Sequence, residues 1–238
     1  MTLENVTGNL LEYKKLKLGT FQHADQLTTE RRTNIELRNQ WFYTADGELY
    51  TVQKENVVWA ITREPQNLVL ENIDDAYRQL TEKENYFPNA EAAQSSVDHK
   101  DSVVVDLKGL NLVKDNDLYG HFVVGPKVVN ELNSEQRKVA QRIYGPDEEN
   151  FGLNMEMFAG AGKTPHVYVL LPEYVKSTLG SNNRTFLGRA SWLISFSYCS
   201  GFVASGRVVG DYGRVRGVRR EDVARSAAAL ENEVPSGV

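Results

Sequence analysis

A mixed α+β fold is what the sequence predicts, and three observations point to it. Strand-like runs rich in β-branched and aromatic residues and helix-like segments follow one another in mixed order. A chain of 238 residues with 41% apolar side chains can bury a substantial core. The single cysteine, Cys199, excludes an intrachain disulfide, so that core alone must hold the fold.

The N-terminal residues 1–38 are polar and weakly patterned and read as an arm or docking element. Residues 40–52 carry aromatic and β-branched side chains on both sides of Asp46-Gly47, the composition of a hairpin turning at that dipeptide. Residues 57–62 fit a third strand. Asn72 is a good N-cap for a helix over 72–82, with Asp74 and Asp75 near the positive end of its dipole. Residues 88–100 look like a linker. From Ser102 the texture changes: strands are expected over 102–109 and 119–125, with Asn116 and Asp117 in the turn between them. Asn133-Ser-Glu-Gln136 has the form of a capping box opening a helix through Ile143. Residues 165–172 read as a buried strand, 173–179 as a short helix, and the Ala-rich 221–232 as a helix stopping before Pro235. This order predicts an N-terminal module over residues 1–98 and a second domain over 99–238.

Composition narrows the function. A formal charge of −5 gives no reason to expect a nucleic-acid partner, which would call for a basic stripe facing phosphates. No stretch approaches the roughly 20 apolar residues of a membrane helix. The N-terminus shows no apolar h-region or cleavage site of a secretory signal. A soluble protein, or one carried to a surface within an assembly, is expected.

Local motifs point away from enzyme chemistry. Ala161-Gly-Lys-Thr164 has the ending of a phosphate-binding loop, but Met157 stands where the first glycine belongs and Pro165 follows where a helix should begin. Asp115-Asn-Asp-Leu-Tyr-Gly120 opens like a calcium loop, yet Pro126 occupies the position of the bidentate Glu. His23, His99, His121 and His166 are scattered without metal-binding spacing, and Cys199 has no evident partner base. No cofactor, metal or catalytic residue is expected.

The segment over 188–220 is the informative one. It mixes bulky aromatics with Ser and Gly, as antibody paratopes do, where rigid amphipathic anchors stand beside small adaptable groups. Composition alone leaves a second reading open, an edge hairpin with Ile194, Phe196 and Tyr198 alternating onto a core face.

Gly188-Arg-Ala-Ser-Trp192, followed after a loose middle by Gly213-Arg-Val-Arg-Gly-Val-Arg219, resembles the C-terminal signature of variable proteins diversified by retroelements, in the C-type-lectin-like superfamily shared with formylglycine-generating enzymes. Two features differ from that pattern: the chain continues past Arg219, and Ala190 stands where a second glycine is common. In that family, variation at adenines of asparagine-type codons yields many residues but not Lys, Glu, Gln, Met or Trp. Residues 193–213 contain none of these five.

The resemblance implies a C-type-lectin-like domain in the C-terminal half, with Trp192 in the core and Gly213, Val215, Gly217 and Val218 in the last strand. It implies display of Ile194, Phe196, Tyr198, Cys199, Ser200, Phe202, Val203, Ser205, Val208, Val209, Asp211 and Tyr212 toward a protein or other surface receptor. Such a scaffold must fix its loops from outside the variable side chains, and Arg189, Arg207, Arg214, Arg216 and Arg219 are candidates, by donation to loop carbonyls. The expected protein is a non-enzymatic recognition component of a virion or cell surface, with oligomerisation open. An enzyme of the formylglycine-generating kind would need more than one cysteine, and the Glu-Pro-Asn and Trp-Asn-Asp signatures of calcium-dependent sugar binding are lacking. The alternative is a structural or assembly protein whose C-terminal hairpin is core. Exposure of Phe196, Tyr198, Phe202 and Tyr212 as one patch favours binding, and their burial favours structure.

Overall fold

Strands from both halves of the chain interleave in one sheet. The computed structural model describes residues 18–21, 23–62, 89–125, 128–197, 201–205 and 217–219. Among these, the strands are β1 (Leu18–Phe21), β2 (Phe42–Gln53), β3 (Asn56–Thr62), β4 (Val103–Asp106), β5 (Val113–Lys114), β6 (Tyr119–Val123), β7 (His166–Leu170), β8 (Phe186–Leu193), β9 (Phe202–Ser205) and β10 (Gly217–Arg219). The helices are α1 (Ala24–Thr33), α2 (Ala90–Val97), α3 (Ser134–Tyr144), α4 (Glu148–Gly160) and α5 (Pro172–Ser181). Eight strands form the order β4-β3-β2-β8-β9-β7-β6-β5, and β1 pairs with β10 in a separate two-stranded sheet. All pairings are antiparallel except β7 with β9.

The architecture is mixed α+β, as expected, but a boundary at residue 98 does not divide it. β2 and β3, from before that point, stand between β4 and β8, from after it. Nor is the N-terminal region an arm throughout: α1 buries Ala24, Leu27, Thr28 and Arg31 and packs on α3. Asp46-Gly47 lies within the long strand β2, and the chain reverses at Lys54-Glu55 instead, between the paired residues Gln53 and Asn56. Lys54 and Glu55 have φ of 47° and 74°, the positive values a two-residue hairpin turn of this hand demands. Asp-Gly is a turn signal only while its side chain stays in solvent, and the Asp46 carboxylate is wholly buried. The linker-like 88–100 holds α2, capped by the Asn89 side chain, which accepts from the Ala92 amide at 2.8 Å. Helices proposed over 72–82 and 221–232 lie outside the described residues.

Where the local signals were strong, the elements form as the sequence indicates. The α3 capping box closes both ways, Gln136 N donating to Asn133 Oδ1 at 2.9 Å and Asn133 N to Gln136 Oε1 at 3.1 Å. Asn116 Oδ1 accepts from the Leu118 and Tyr119 amides and makes the β5–β6 turn. The phosphate-loop-like tetrapeptide terminates α4: Gly162, at φ 64°, donates to Ala159 O while Lys163 N donates to Phe158 O, a Schellman closure leading into β7. Helix precedes strand here, the reverse of the order a phosphate loop needs. α4, which is not among the expected helices, is capped by Asp147, whose Oδ1 accepts from the Asn150 amide at 2.8 Å. No helix among the described residues is long and apolar enough to cross a membrane.

Candidate binding site

The backbone that leaves β8 after Leu193 is the natural place to look for a displayed loop, and its seat is built by residues distant in sequence. Arg31 sits on the α1 face that packs inward, and its side chain is fully buried. Its guanidinium donates from Nε to Leu37 O at 3.1 Å, from Nη1 to Ile194 O at 3.1 Å and from Nη2 to Gln40 O at 2.6 Å. The Phe42 and Phe196 rings lie 5.5 and 5.4 Å from its centre, close enough for cation–π attraction. Burial pushes the guanidinium down to about 9, with Tyr144 acting the other way. It therefore stays charged at neutral pH, a cation satisfied by carbonyls and rings.

The same seat is closed by main-chain bonds. Phe196 N donates to Arg38 O at 2.6 Å and Ile194 N to Gly201 O at 2.7 Å. Arg38, in the 3-10 turn Ile35–Asn39 that follows α1, returns its own guanidinium to the Arg31 and Arg32 carbonyls at the end of that helix. Gly201 cannot be another residue without disturbance, since a Cβ there would stand 2.8 Å from His166 O. The first exposed side chain after β8 is Ser197, whose Oγ bonds to Asn39 Oδ1 at 3.1 Å.

Behind this loop, β2 carries two buried acids. Asp46 Oδ2 accepts from Ala24 N at 2.7 Å, at the positive end of α1, and Oδ1 lies 3.0 Å from His23 Nδ1 and bonds Arg142 Nη2 of α3. Burial opposes its ionisation, but Arg142, His23 and the Ala24 amide outweigh burial and hold the carboxyl well below the usual range. Among the described residues no such cation acts on Glu48. It accepts from Tyr50 Oη at 2.7 Å, Trp59 Nε1 at 3.0 Å and Ser191 Oγ at 3.1 Å, and burial pushes it up to about 8 against these donors. Burial and the neighbouring Glu48 raise the Tyr50 phenol as well. The Asp46 cluster ties α1, α3 and β2 together, and its charges are spent on one another inside the fold.

Of the residues expected on display, three are core. Ile194, Phe196 and Phe202 are 4%, 3% and 0% exposed. Phe196 packs on Phe158 with ring centroids 5.0 Å apart and beneath Arg31, and Phe202 aligns with Leu193 on β8 and Val167 on β7 in the buried layer. Ile194 and Phe196 are drawn in by the Arg31 seat, and for Phe202 the reason is alternation: on β9 it faces the core while Val203, its neighbour, is half-buried on the other face. Ser205 continues β9 opposite Ala190. Tyr198, Cys199, Ser200, Val208, Val209, Asp211 and Tyr212 lie outside the described residues. Trp192 stands in β8 opposite Tyr43 and Val203, and Gly217 and Val218 are in β10.

A guanidinium does hold a loop carbonyl, and it is that of Arg31, which the sequence did not single out. Arg189 is buried in β8, Arg219 ends β10, and Arg207, Arg214 and Arg216 lie outside the described residues. The run Glu30-Arg-Arg-Thr33 looks solvated in sequence, and only the helical face of Leu27 and Arg31, four residues apart, could have marked Arg31 as buried.

No family model and no curated protein matches the chain. It is similar to a solved structure described as the accommodation of massive sequence variation in Nanoarchaeota by the C-type lectin fold. That likeness has a TM-score of 0.51 and 14% identity and covers 85% of this chain and 86% of that chain. The fold is thus α+β of the C-type-lectin type.

Proposed function

We propose that this chain is a non-enzymatic ligand-binding protein that presents a variable surface on a C-type-lectin-like scaffold, in the manner of retroelement-diversified variable proteins. The observation that carries the reading is the seat of the loop after β8. Arg31, Arg38 and Gly201 bond main-chain atoms of Ile194 and Phe196, so the backbone at those two residues is held without the side chains that follow them. A scaffold fixed in that way tolerates replacement at exposed positions. The solved C-type-lectin fold described as accommodating massive sequence variation supports the same reading.

The displayed set becomes Val203 and Ser205 with Tyr198, Cys199, Ser200, Val208, Val209, Asp211 and Tyr212; Ile194, Phe196 and Phe202 leave it. The partner is a protein or other surface receptor, bound from a virion or cell surface, with aromatic side chains as the anchors. The burial of Phe196 and Phe202 favours a second reading, a structural or assembly protein whose hairpin is core. Sequencing the encoding locus and sister isolates separates the two. A near-identical template repeat beside a reverse-transcriptase gene, with variation at the displayed codons and constancy at 194, 196 and 202, is expected. Isolates identical across 193–213 with no repeat would leave the structural reading standing.

A further inference from the structure

His121 and His166 stand far apart in sequence, with no spacing that announces a shared role, but strand register joins them. On the antiparallel pair β6–β7, His121 lies opposite Tyr168 and Val123 opposite His166. That sets the two histidines diagonally on one face, while Phe122 and Val167 between them turn into the core. The imidazoles stack with centroids 5.0 Å apart and planes at 29°. Tyr168 completes a cluster of rings, 5.4 Å from His121 and 5.9 Å from His166. Both Nδ1 atoms are buried and neither has a hydrogen-bond partner. No bond to protein therefore claims the Nδ1 of either ring. A buried nitrogen in that condition asks for an explanation, and two on neighbouring rings ask for one in common.

We infer that His121 and His166 together chelate one divalent transition-metal ion on the β6–β7 face that carries Tyr168. Two nitrogens, each about 2.0–2.1 Å from a common ion, stand a little over 3 Å apart in tetrahedral geometry. Stacked rings with centroids 5.0 Å apart reach that span by turning toward each other. Imidazole suits copper, nickel and zinc, whereas magnesium and calcium want oxygen. Among the described residues no group of three or more His, Cys, Asp or Glu could hold a metal. The ion would accordingly keep open positions, available to water or to a donor atom on a ligand. Val203 pairs with Tyr168 in register, so those positions would border the proposed display face.

The test is titration of the full chain with Cu2+, Ni2+, Zn2+ and Mg2+, each alone, by calorimetry, with paramagnetic resonance on the copper complex. One equivalent should bind, copper most tightly and magnesium not at all, with nitrogen couplings from two imidazoles. His121→Ala and His166→Ala should each weaken copper binding by tenfold or more, and His99→Ala should leave it unchanged. Thermal unfolding reports whether each variant folds, and His121→Asn and His166→Asn provide milder replacements. Absence of binding by all three transition metals, or binding that survives loss of either histidine, overturns the assignment. Chelation can hold where the locus shows no variation, and can fail where it does, so this test is separate from that of the display reading.

Discussion

Two rows of residues cross the same strands back to back, and they have opposite fates. Phe42, Leu193, Phe202, Val167 and Phe122 align across β2, β8, β9, β7 and β6, and none is more than 3% exposed. One residue along each strand, Val203, Tyr168 and His121 are half-buried, and the row ends at Val113, 60% exposed. The first row is scaffold and the second is surface. A segment whose composition suggests display throughout is therefore divided, residue by residue, by the two-residue period of a strand.

The sharpest way to break that division is at Phe202. Phe202→Ala removes a fully buried ring from the inner row and should cost about 3–5 kcal/mol, read as a shift in the denaturation midpoint without loss of slope. A stability change below about 1 kcal/mol would mean that the inner row is not core. Arg31→Met tests the seat beneath the loop. It leaves the Leu37, Gln40 and Ile194 carbonyls without their donor, at about 1–3 kcal/mol for each one that stays dry, while removal of a buried charge returns part of that. A net loss of about 2–4 kcal/mol is expected, together with faster amide exchange at Ile194 and Phe196. Unchanged exchange there would detach Arg31 from the loop.

Glu48 and Asp46 give the inner face a pH signature of two signs. Glu48 is raised from 4.5 to about 8, so between those values the folded chain holds a proton that the unfolded chain has released. Its contribution is fully present below about pH 4.5 and is lost as pH rises toward 8, at up to about 1.4 kcal/mol per unit. Asp46 is lowered, so its contribution is present above its ordinary value of 3.8 and lost in acid below it. Glu48→Gln should flatten the limb between pH 5 and 8 and leave the acid limb alone. Equal slopes in variant and parent would show Glu48 ionised throughout.

The elements carried by local chemistry were legible in the sequence: the Asn133 capping box, the Asn116 turn and the strands around Val105, Phe122 and Val167. What escaped depended on distant partners. Asp46 reads as a turn former until α1 and Arg142 arrive to bind its carboxylate, and no window of sequence contains all three. Arg31 looks like one of a pair of surface arginines, and the carbonyl it holds at Ile194 belongs to another element altogether. The resemblance over 188–219 pointed to the fold, but it listed Phe196 and Phe202 with the displayed residues because paratope-like composition cannot say whether a ring turns into the core or out of it. His121 and His166 meet only through β6–β7 register.

Val203 should give the smallest effect on the fold and the most informative one on function. It neighbours Phe202 in sequence but is half-buried on the opposite face, beside Tyr168 in register. Val203→Ala and Val203→Tyr should both change stability by less than about 0.5 kcal/mol, the range of substitutions away from packed sites. A tyrosine there would add a rigid amphipathic ring to the surface, so affinity for any receptor that uses this face should change while the unfolding midpoint does not. Parallel measurement of midpoint and receptor binding thus separates the two rows at adjacent positions, with stability falling at 202 and recognition moving at 203. If both substitutions at 203 cost stability on the scale of Phe202→Ala, the outer row is packed like the inner one and the display face must lie elsewhere.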